Sequence, residues 1–283
     1  MKIVFLGTGG GRDMMIAQER RTGGLFFDFD KTKFILDPGP GSLYHAVSLG
    51  LQPDKWNGVL LSHLHPDHAS DVNAYLDGMT SPFLVAEEHC LIEKRALERG
   101  KEKTDFDYHP CVTAYHQEKS SVHAMKDGTS AEVNGVKITA VKASHYIPTT
   151  GFRISGSQTD AKGVMQSFDV GYTSDGQYYR GMERHYDGCR VLIINVVIPK
   201  GGEAKRPGYM SVDGIITLLN AMKQKPSLVV LTHFSFWFLR SNLWKQEKII
   251  QDATKVRTIH AEDFMSLDLS TLAASQLKKK SGF

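Results

Sequence analysis

The chain has no Cys-x-x-Cys pair among its 283 residues, and its three cysteines, Cys90, Cys111 and Cys189, stand far apart. That spacing argues against a cysteine-built zinc site. No run of 18 apolar residues occurs, so no transmembrane helix is expected. The opening Met1–Arg12 has a short apolar run and then glycines. It lacks the longer apolar region and small-residue cleavage site of a signal peptide. An odd cysteine count without a leader places the expectation in the reducing cytoplasm. The net charge is only +3, which argues weakly for an anionic partner. Proteins that grip long nucleic acids usually show a stronger basic bias. Internal repeats and Pro-, Gly- or Ser-rich linkers are also missing, so one domain over residues 1–283 is expected. What is present is an ordinary globular composition, 41% apolar and 23% charged.

The first half alternates short β-like runs with turns. Lys2–Leu6 reads as a strand stopped by Gly7-Thr8-Gly9-Gly10-Gly11, and Gly24–Phe29 with Lys33–Leu36 as a hairpin around Asp30-Lys31. Asp37-Pro38-Gly39-Pro40-Gly41 is a strong turn signal. The pattern then predicts helices over Ser42–Leu49 and Ala69–Leu76, with a buried strand Gly58–Leu61 between them. An exposed helix is predicted around Glu93–Arg99, and one or two strands over Glu132–Ala143. Gly151–Ile154, Phe168–Thr173, Val191–Val197 and Leu228–Leu231 read as further strands, and Val212–Lys223 as an amphipathic helix. The C-terminal Lys278–Phe283 reads as a frayed, solvated end. Tyr44, Trp56, Trp237 and Trp244 read as core or edge residues, and the oligomeric state stays open. This order suits a sheet-on-sheet core with helices outside.

Ser62-His63-Leu64-His65-Pro66-Asp67-His68 is the most informative stretch, with three imidazoles and one carboxylate in six positions directly after an apolar strand. Imidazole nitrogen and carboxylate oxygen are ligands that zinc takes at about 2.0–2.2 Å. On an extended segment alternate residues face the same way, so His63 and His65 can grip one metal. Pro66 forces a bend, after which Asp67 and His68 can turn to a second.

His63-Leu64-His65-Pro66-Asp67-His68 resembles the HxHxDH signature of the metallo-β-lactamase superfamily. Leu36-Asp37-Pro38-Gly39, Ser144-His145, Tyr172-Thr173-Ser174-Asp175 and Leu231-Thr232-His233-Phe234-Ser235 resemble its further motifs, in the expected order from about Lys2 to about Leu269. The resemblance implies a four-layer αββα sandwich of two mixed sheets with helices on both outer faces. It implies two divalent ions, zinc or else manganese or iron. His63, His65 and His145 would hold one, and Asp67, His68 and His233 the other. Asp175 would bridge them with a hydroxide, and Asp37 would orient a ligand histidine. Taken singly, Asp175 also reads as a turn residue before Gly176, and His233 as a hydrogen-bonded core imidazole.

Phe5-Leu6-Gly7-Thr8-Gly9, with Arg12, Arg20 and Arg21 nearby, looks like the phosphodiesterase-type branch of that superfamily. This branch includes the transfer-RNA 3′-processing endonuclease and a cyclic-phosphate phosphodiesterase. Arginine forks suit phosphate oxygens, so Arg12, Arg20 and Arg21 are substrate-binding candidates, although the same residues also read as a solvated loop. The chain departs from the endonuclease at two places. Ile194-Asn195-Val196-Val197 stands where a His-Glu segment is expected, and Tyr209-Met210-Ser211 where His-Ser-Thr is expected. The preferred substrate is therefore a small phosphodiester, with RNA as the alternative. Asp67 would accept a proton, and Tyr209, His185 and Lys200 are the general-acid candidates. Rival readings are a thioester or lactam hydrolase, a mononuclear iron oxidoreductase and a non-catalytic binding module.

Overall fold

A computed structural model describes residues 1–91, 110–159, 163–202 and 208–282. Among these lie fifteen strands: β1 (Lys2–Phe5), β2 (Leu25–Phe29), β3 (Thr32–Leu36), β4 (Gly58–Leu61), β5 (Phe83–Glu87), β6 (Ser121–Met125), β7 (Ser130–Val133), β8 (Val136–Lys142), β9 (Thr150–Thr159), β10 (Met165–Tyr172), β11 (Val191–Asn195), β12 (Leu228–Thr232), β13 (Thr258–His260), β14 (Met265–Asp268) and β15 (Ala274–Gln276). They form an eight-stranded sheet in the order β15-β14-β1-β2-β3-β4-β5-β6 and a seven-stranded sheet in the order β13-β12-β11-β10-β9-β8-β7. Both are mixed. β3 to β6 run parallel in the first sheet and β10 to β13 in the second, while the remaining pairs are antiparallel.

The two-residue period of a strand explains the layering. Ile3 and Phe5, Phe34 and Leu36, Val191 and Ile193, and Leu228 and Val230 point into one core between the sheets. Their neighbours Val4 and Ile35 face a second core under the helices Ser42–Ser48 and Val72–Gly78. Leu192, Ile194, Val229 and Leu231 face a third core under the helix Val212–Ala221. A strand buried on both faces is mostly apolar, and β4 and the first four residues of β11 and of β12 are unbroken apolar runs for that reason. The result is the expected four-layer αββα sandwich.

Several boundaries differ from the expectation. The helix predicted over Ala69–Leu76 is two short helices, Pro66–Ala69 and Val72–Gly78. Asp71 breaks it, because its N–H donates to the Pro38 carbonyl and its carboxylate accepts from Ser42 and Leu43. β11 stops at Asn195, where Val197 and Ile198 turn to the Met210 carbonyl. The long helix Leu243–Thr254 escaped the apolar period because its buried face includes Gln246, Glu247 and Thr254. Lys279 and Lys280, expected in a frayed end, are docked, while Phe283 lies outside the described residues. Lys280 N–H donates to the Ser48 carbonyl at 2.8 Å, and Lys279 sits over the Tyr44 and Phe264 rings. The helix predicted around Glu93–Arg99 lies outside the described residues. No described helix is long and apolar enough to cross a membrane.

Candidate metal centre

The ligand-type residues gather at one edge of the sandwich because the strands that carry them point the same way. β3 leads directly into Asp37, β4 into Ser62-His63 and β12 into His233, while β10 ends at Tyr172, three positions before Asp175. A Thr150 N–H bond to the Ser62 carbonyl joins the two sheets at this edge. Asp37, Ser174 and His233 all hold left-handed backbone, at φ 50°, 55° and 63°. Such positions cost roughly 1–3 kcal/mol each and are retained where the surroundings impose them.

Two groups of ligand atoms converge there. His63, His65, His145 and Asp175 form one, and Asp67, His68 and His233 the other. In the first, His65 Nδ1 lies 3.1 Å from His63 Nε2 and 3.3 Å from His145 Nε2. In the second, His233 Nε2 lies 3.0 Å from His68 Nε2 and 3.2 Å from Asp67 Oδ2. Asp175 stands between them. Its Oδ1 is 3.3 Å from His233 Nε2 and 3.6 Å from His68 Nε2, and its Oδ2 is 4.0 Å from His145 Nε2. Ligands at 2.0–2.1 Å around a tetrahedral ion are about 3.3 Å apart, so the donor spacing fits one divalent ion in each group.

The outer hydrogen bonds fix which ring nitrogen faces inward. Ser62 Oγ donates its only proton to Asp37 Oδ2 at 2.6 Å, so it accepts from His63 Nδ1 at 2.9 Å. Asp37 Oδ2 also accepts from His68 Nδ1 at 3.0 Å, and the Gly208 carbonyl stands 3.4 Å from His145 Nδ1. Each bond takes the Nδ1 proton, so that in the neutral ring it is Nε2 that faces the cluster with a free lone pair, which is how a carboxylate or carbonyl partner prepares an imidazole ligand. Burial and then His68 hold the His63 pKa well below its usual range, so it stays a neutral ligand. Burial works against a charged His68, but Asp67 and Asp175 outweigh it and hold its pKa well above the usual value. Burial likewise opposes a charged Asp175, but His233 and His68 keep its carboxyl ionised.

Asn195 is a site residue the sequence did not mark. It donates to Asp175 Oδ1 at 2.8 Å and approaches the Tyr172 hydroxyl at 3.1 Å. Tyr172 in turn donates to Asp37 Oδ2 at 2.7 Å. The residue read as a departure from the endonuclease is thus the one that holds the Asp175 carboxylate.

A cleft of about 870 Å³ opens over the cluster, with His65, Asp67 and Asp175 in its lining. Arg12 and Tyr209 line it, and the Tyr209 ring lies 5.7 Å from that of His145. Trp237 and Arg240 also line it. The only cue to them was their place just beyond His233, in Phe236-Trp237-Phe238-Leu239-Arg240. Arg12 and Arg240 have no carboxylate partner among the described residues.

Four expected site residues are not brought to the cleft. Arg20 is ion-paired with Glu262, and the Arg21 guanidinium donates to the Gln18 carbonyl. Both lie behind the loop that precedes them, because Glu262 and Asp263 draw them there. His185 belongs to the short helix Glu183–Tyr186, whose carbonyls and following turn accept from Arg153, the partner of Asp169. Asp169 lies three residues back from the end of β10, roughly 10 Å from the metal edge. Lys200 is paired with Asp213.

Gly10 carries a steric prediction. A Cβ there would overlap the His233 ring, and the backbone is pinned by Gly10 N–H to the Phe234 carbonyl and Gly11 N–H to Asp67 Oδ2 at 2.7 Å. Gly10→Ala is expected to displace His233 and weaken metal binding at the Asp67/His68/His233 group by about tenfold or more. Metal analysis after graded chelation checks it, and parental retention would mean the ring has room to yield.

The comparisons agree with this geometry. The family model described as the beta-lactamase superfamily domain matches residues 32–234. An uncharacterised protein of Methanocaldococcus jannaschii is 32% identical over 235 residues, 82% of each chain. Ribonuclease Z of an Exiguobacterium species is 30% identical over 166 residues, covering 56% of this chain and 50% of that protein. Among solved structures, the metallo-beta-lactamase fold protein YhfI of Bacillus subtilis has a TM-score of 0.69 at 18% identity, covering 94% and 99% of the two chains. A diphosphatase from the PhnP family has a TM-score of 0.62 at 16% identity and covers 99% of both. The two mixed sheets, the ordered histidine and aspartate motifs and the family match over most of the chain lead to one conclusion: the chain belongs to the beta-lactamase superfamily, in its metallo-β-lactamase fold, and is a hydrolase.

Proposed function

We propose that the chain hydrolyses a small phosphodiester over two divalent ions, most simply zinc. His63, His65 and His145 would hold one ion and Asp67, His68 and His233 the other, with Asp175 shared. The observation that carries this reading is the placement of Asp175, whose two oxygens face the two ligand groups separately. Bound there, two ions would bring the pKa of water toward 7 and polarise a phosphoryl oxygen.

The remaining chemistry belongs to the chain. Arg12 and Arg240, on the cleft wall, would neutralise the non-bridging phosphate oxygens, a task the planar guanidinium fork suits. Tyr209 would donate a proton to the departing oxygen, since His185 and Lys200 stand elsewhere. Asp67 Oδ2 already accepts from Gly11 N–H and faces His233, which makes its ligand role primary. The partial likeness to Ribonuclease Z favours RNA as the second substrate class.

The test is a substrate panel with bis-p-nitrophenyl phosphate, cyclic nucleotides, precursor transfer RNA, a thioester and a lactam. Diester turnover is expected to dominate. Arg240→Ala and Arg12→Ala should each lower kcat/KM on the best diester by roughly 10- to 100-fold, since a charge-assisted contact is worth about 1.5–3 kcal/mol. Faster turnover of the thioester or lactam would reject the phosphodiester reading. Site-specific cleavage of the precursor would favour the nuclease.

A further inference from the structure

A second polar chain lies on the far side of the glycine loop Gly7–Gly11, away from the cleft. Asp263 Oδ1 accepts from Thr8 N–H at 2.9 Å and from Thr8 Oγ–H at 2.7 Å, and its Oδ2 accepts from Arg21 N–H at 3.0 Å. Glu262 pairs with the Arg20 guanidinium and stands 3.1 Å from His260 Nε2, while His260 Nδ1 faces the buried Glu247. Gly9 N–H donates to the Arg21 carbonyl at 2.7 Å. The outer side of the loop is therefore tied to residues more than 240 positions away in sequence.

The inner side of the same loop touches one half of the metal centre. Gly11 N–H donates to Asp67 Oδ2, Gly10 lies flat against His233, and Thr8 and Gly10 exchange backbone bonds with Phe234, the residue after His233. Four of the five loop residues are glycine, which offers the backbone many conformations and holds none of them by itself. The shape that aims Gly11 N–H at Asp67 has to be imposed from outside, and Asp263, through Thr8, and Arg20, whose guanidinium stands 3.5 Å from Thr8 Oγ, are the groups that impose it. The His63/His65/His145 half is anchored differently, by Ser62 and the Gly208 carbonyl.

We infer that Asp263 and Arg20 are positioning residues for the Asp67/His233 half of the metal centre, acting through the glycine loop. The inference rests on the two-ion reading above. It makes the two halves separable: loosening the outer ties should weaken one ion and spare the other. A purely structural role would weaken both alike or lower only the melting temperature.

The experiment is chelator competition on cobalt-loaded protein, with ions per chain counted by elemental analysis and coordination followed in the visible d–d bands. The variants are Asp263→Ala, Asp263→Asn, Arg20→Gln and Arg20→Lys. The parent should hold two ions. Arg20→Gln and Asp263→Ala should hold one with parental affinity and the other about 10- to 100-fold more weakly, the usual effect of losing an outer partner of a ligand. Asp263→Asn and Arg20→Lys should recover part of the loss. If Asp263→Ala does not fold, Asp263→Asn and Arg20→Gln carry the test. Two ions held with parental affinity in those variants, or both weakened equally, would overturn the inference and leave the two-ion reading intact. A parent that takes up only one ion would overturn both.

Discussion

Asp175→Ala is expected to release metal from both ligand groups and to lower diester hydrolysis by about 10³-fold or more. The carboxylate reaches toward both groups, 3.3 Å from His233 on one side and 4.0 Å from His145 on the other. Its removal deprives each ion of an anionic ligand, and several kcal/mol of transition-state stabilisation correspond to a factor of this size. Asn195 loses its acceptor at the same time. Asp175→Asn should be intermediate in metal retention, because the amide keeps one oxygen and no charge. Ion counts and kcat/KM on the same preparations check the prediction. Retention of both ions by Asp175→Ala would remove the residue from the shared position, whatever the activity.

Asp37→Ala should have the largest effect on stability. Asp37 is 2% exposed and accepts from Ser62 N–H at 2.7 Å, Ser62 Oγ, the Tyr172 hydroxyl and His68 Nδ1. Removing one member of a buried charged network costs about 3–5 kcal/mol, because the remaining groups are left without partners. For a chain of this size that corresponds to a drop in Tm of roughly 10 °C. His68 would lose the acceptor that fixes its tautomer, and affinity for the ion it holds should fall as well. Asp175→Ala should differ, with metal lost and the metal-free melting temperature changed much less. A Tm within about 2 °C of the parent for Asp37→Ala would mean the network is replaced by water at little cost.

The arginines illustrate how far a local pattern reaches. Arg12, Arg20 and Arg21 stand on one loop and its flanking helix, and the sequence offers no ground to separate them. Only Arg12 faces the cleft. Arg20 is claimed by Glu262, 242 residues away, so a kinetic effect at Arg20 should come through the glycine loop and not through substrate contact. Arg240 supplies the second cationic wall from a short helix that follows His233. The general-acid candidates divide in the same way. His185 follows the Asp175 loop in sequence but is carried off by Arg153 and Asp169, whereas Tyr209, 34 residues beyond Asp175, returns to stand beside His145.

Sequence alone determined the fold class, the strands that lead to the candidate site and the seven histidine and aspartate residues whose donor atoms the fold gathers there. The reason is local: a two-residue apolar period specifies a doubly buried strand, and His63-Leu64-His65-Pro66-Asp67-His68 places its donors within one short segment. The tertiary structure decided what depends on partners distant in the chain. It set which nitrogen of His63, His68 and His145 faces inward, through Ser62, Asp37 and the Gly208 carbonyl. It made Asn195 the support of Asp175 and brought Arg240 to the cleft. It also turned Arg20 away, because an arginine takes the nearest carboxylate in space, and here that is Glu262 beside β14.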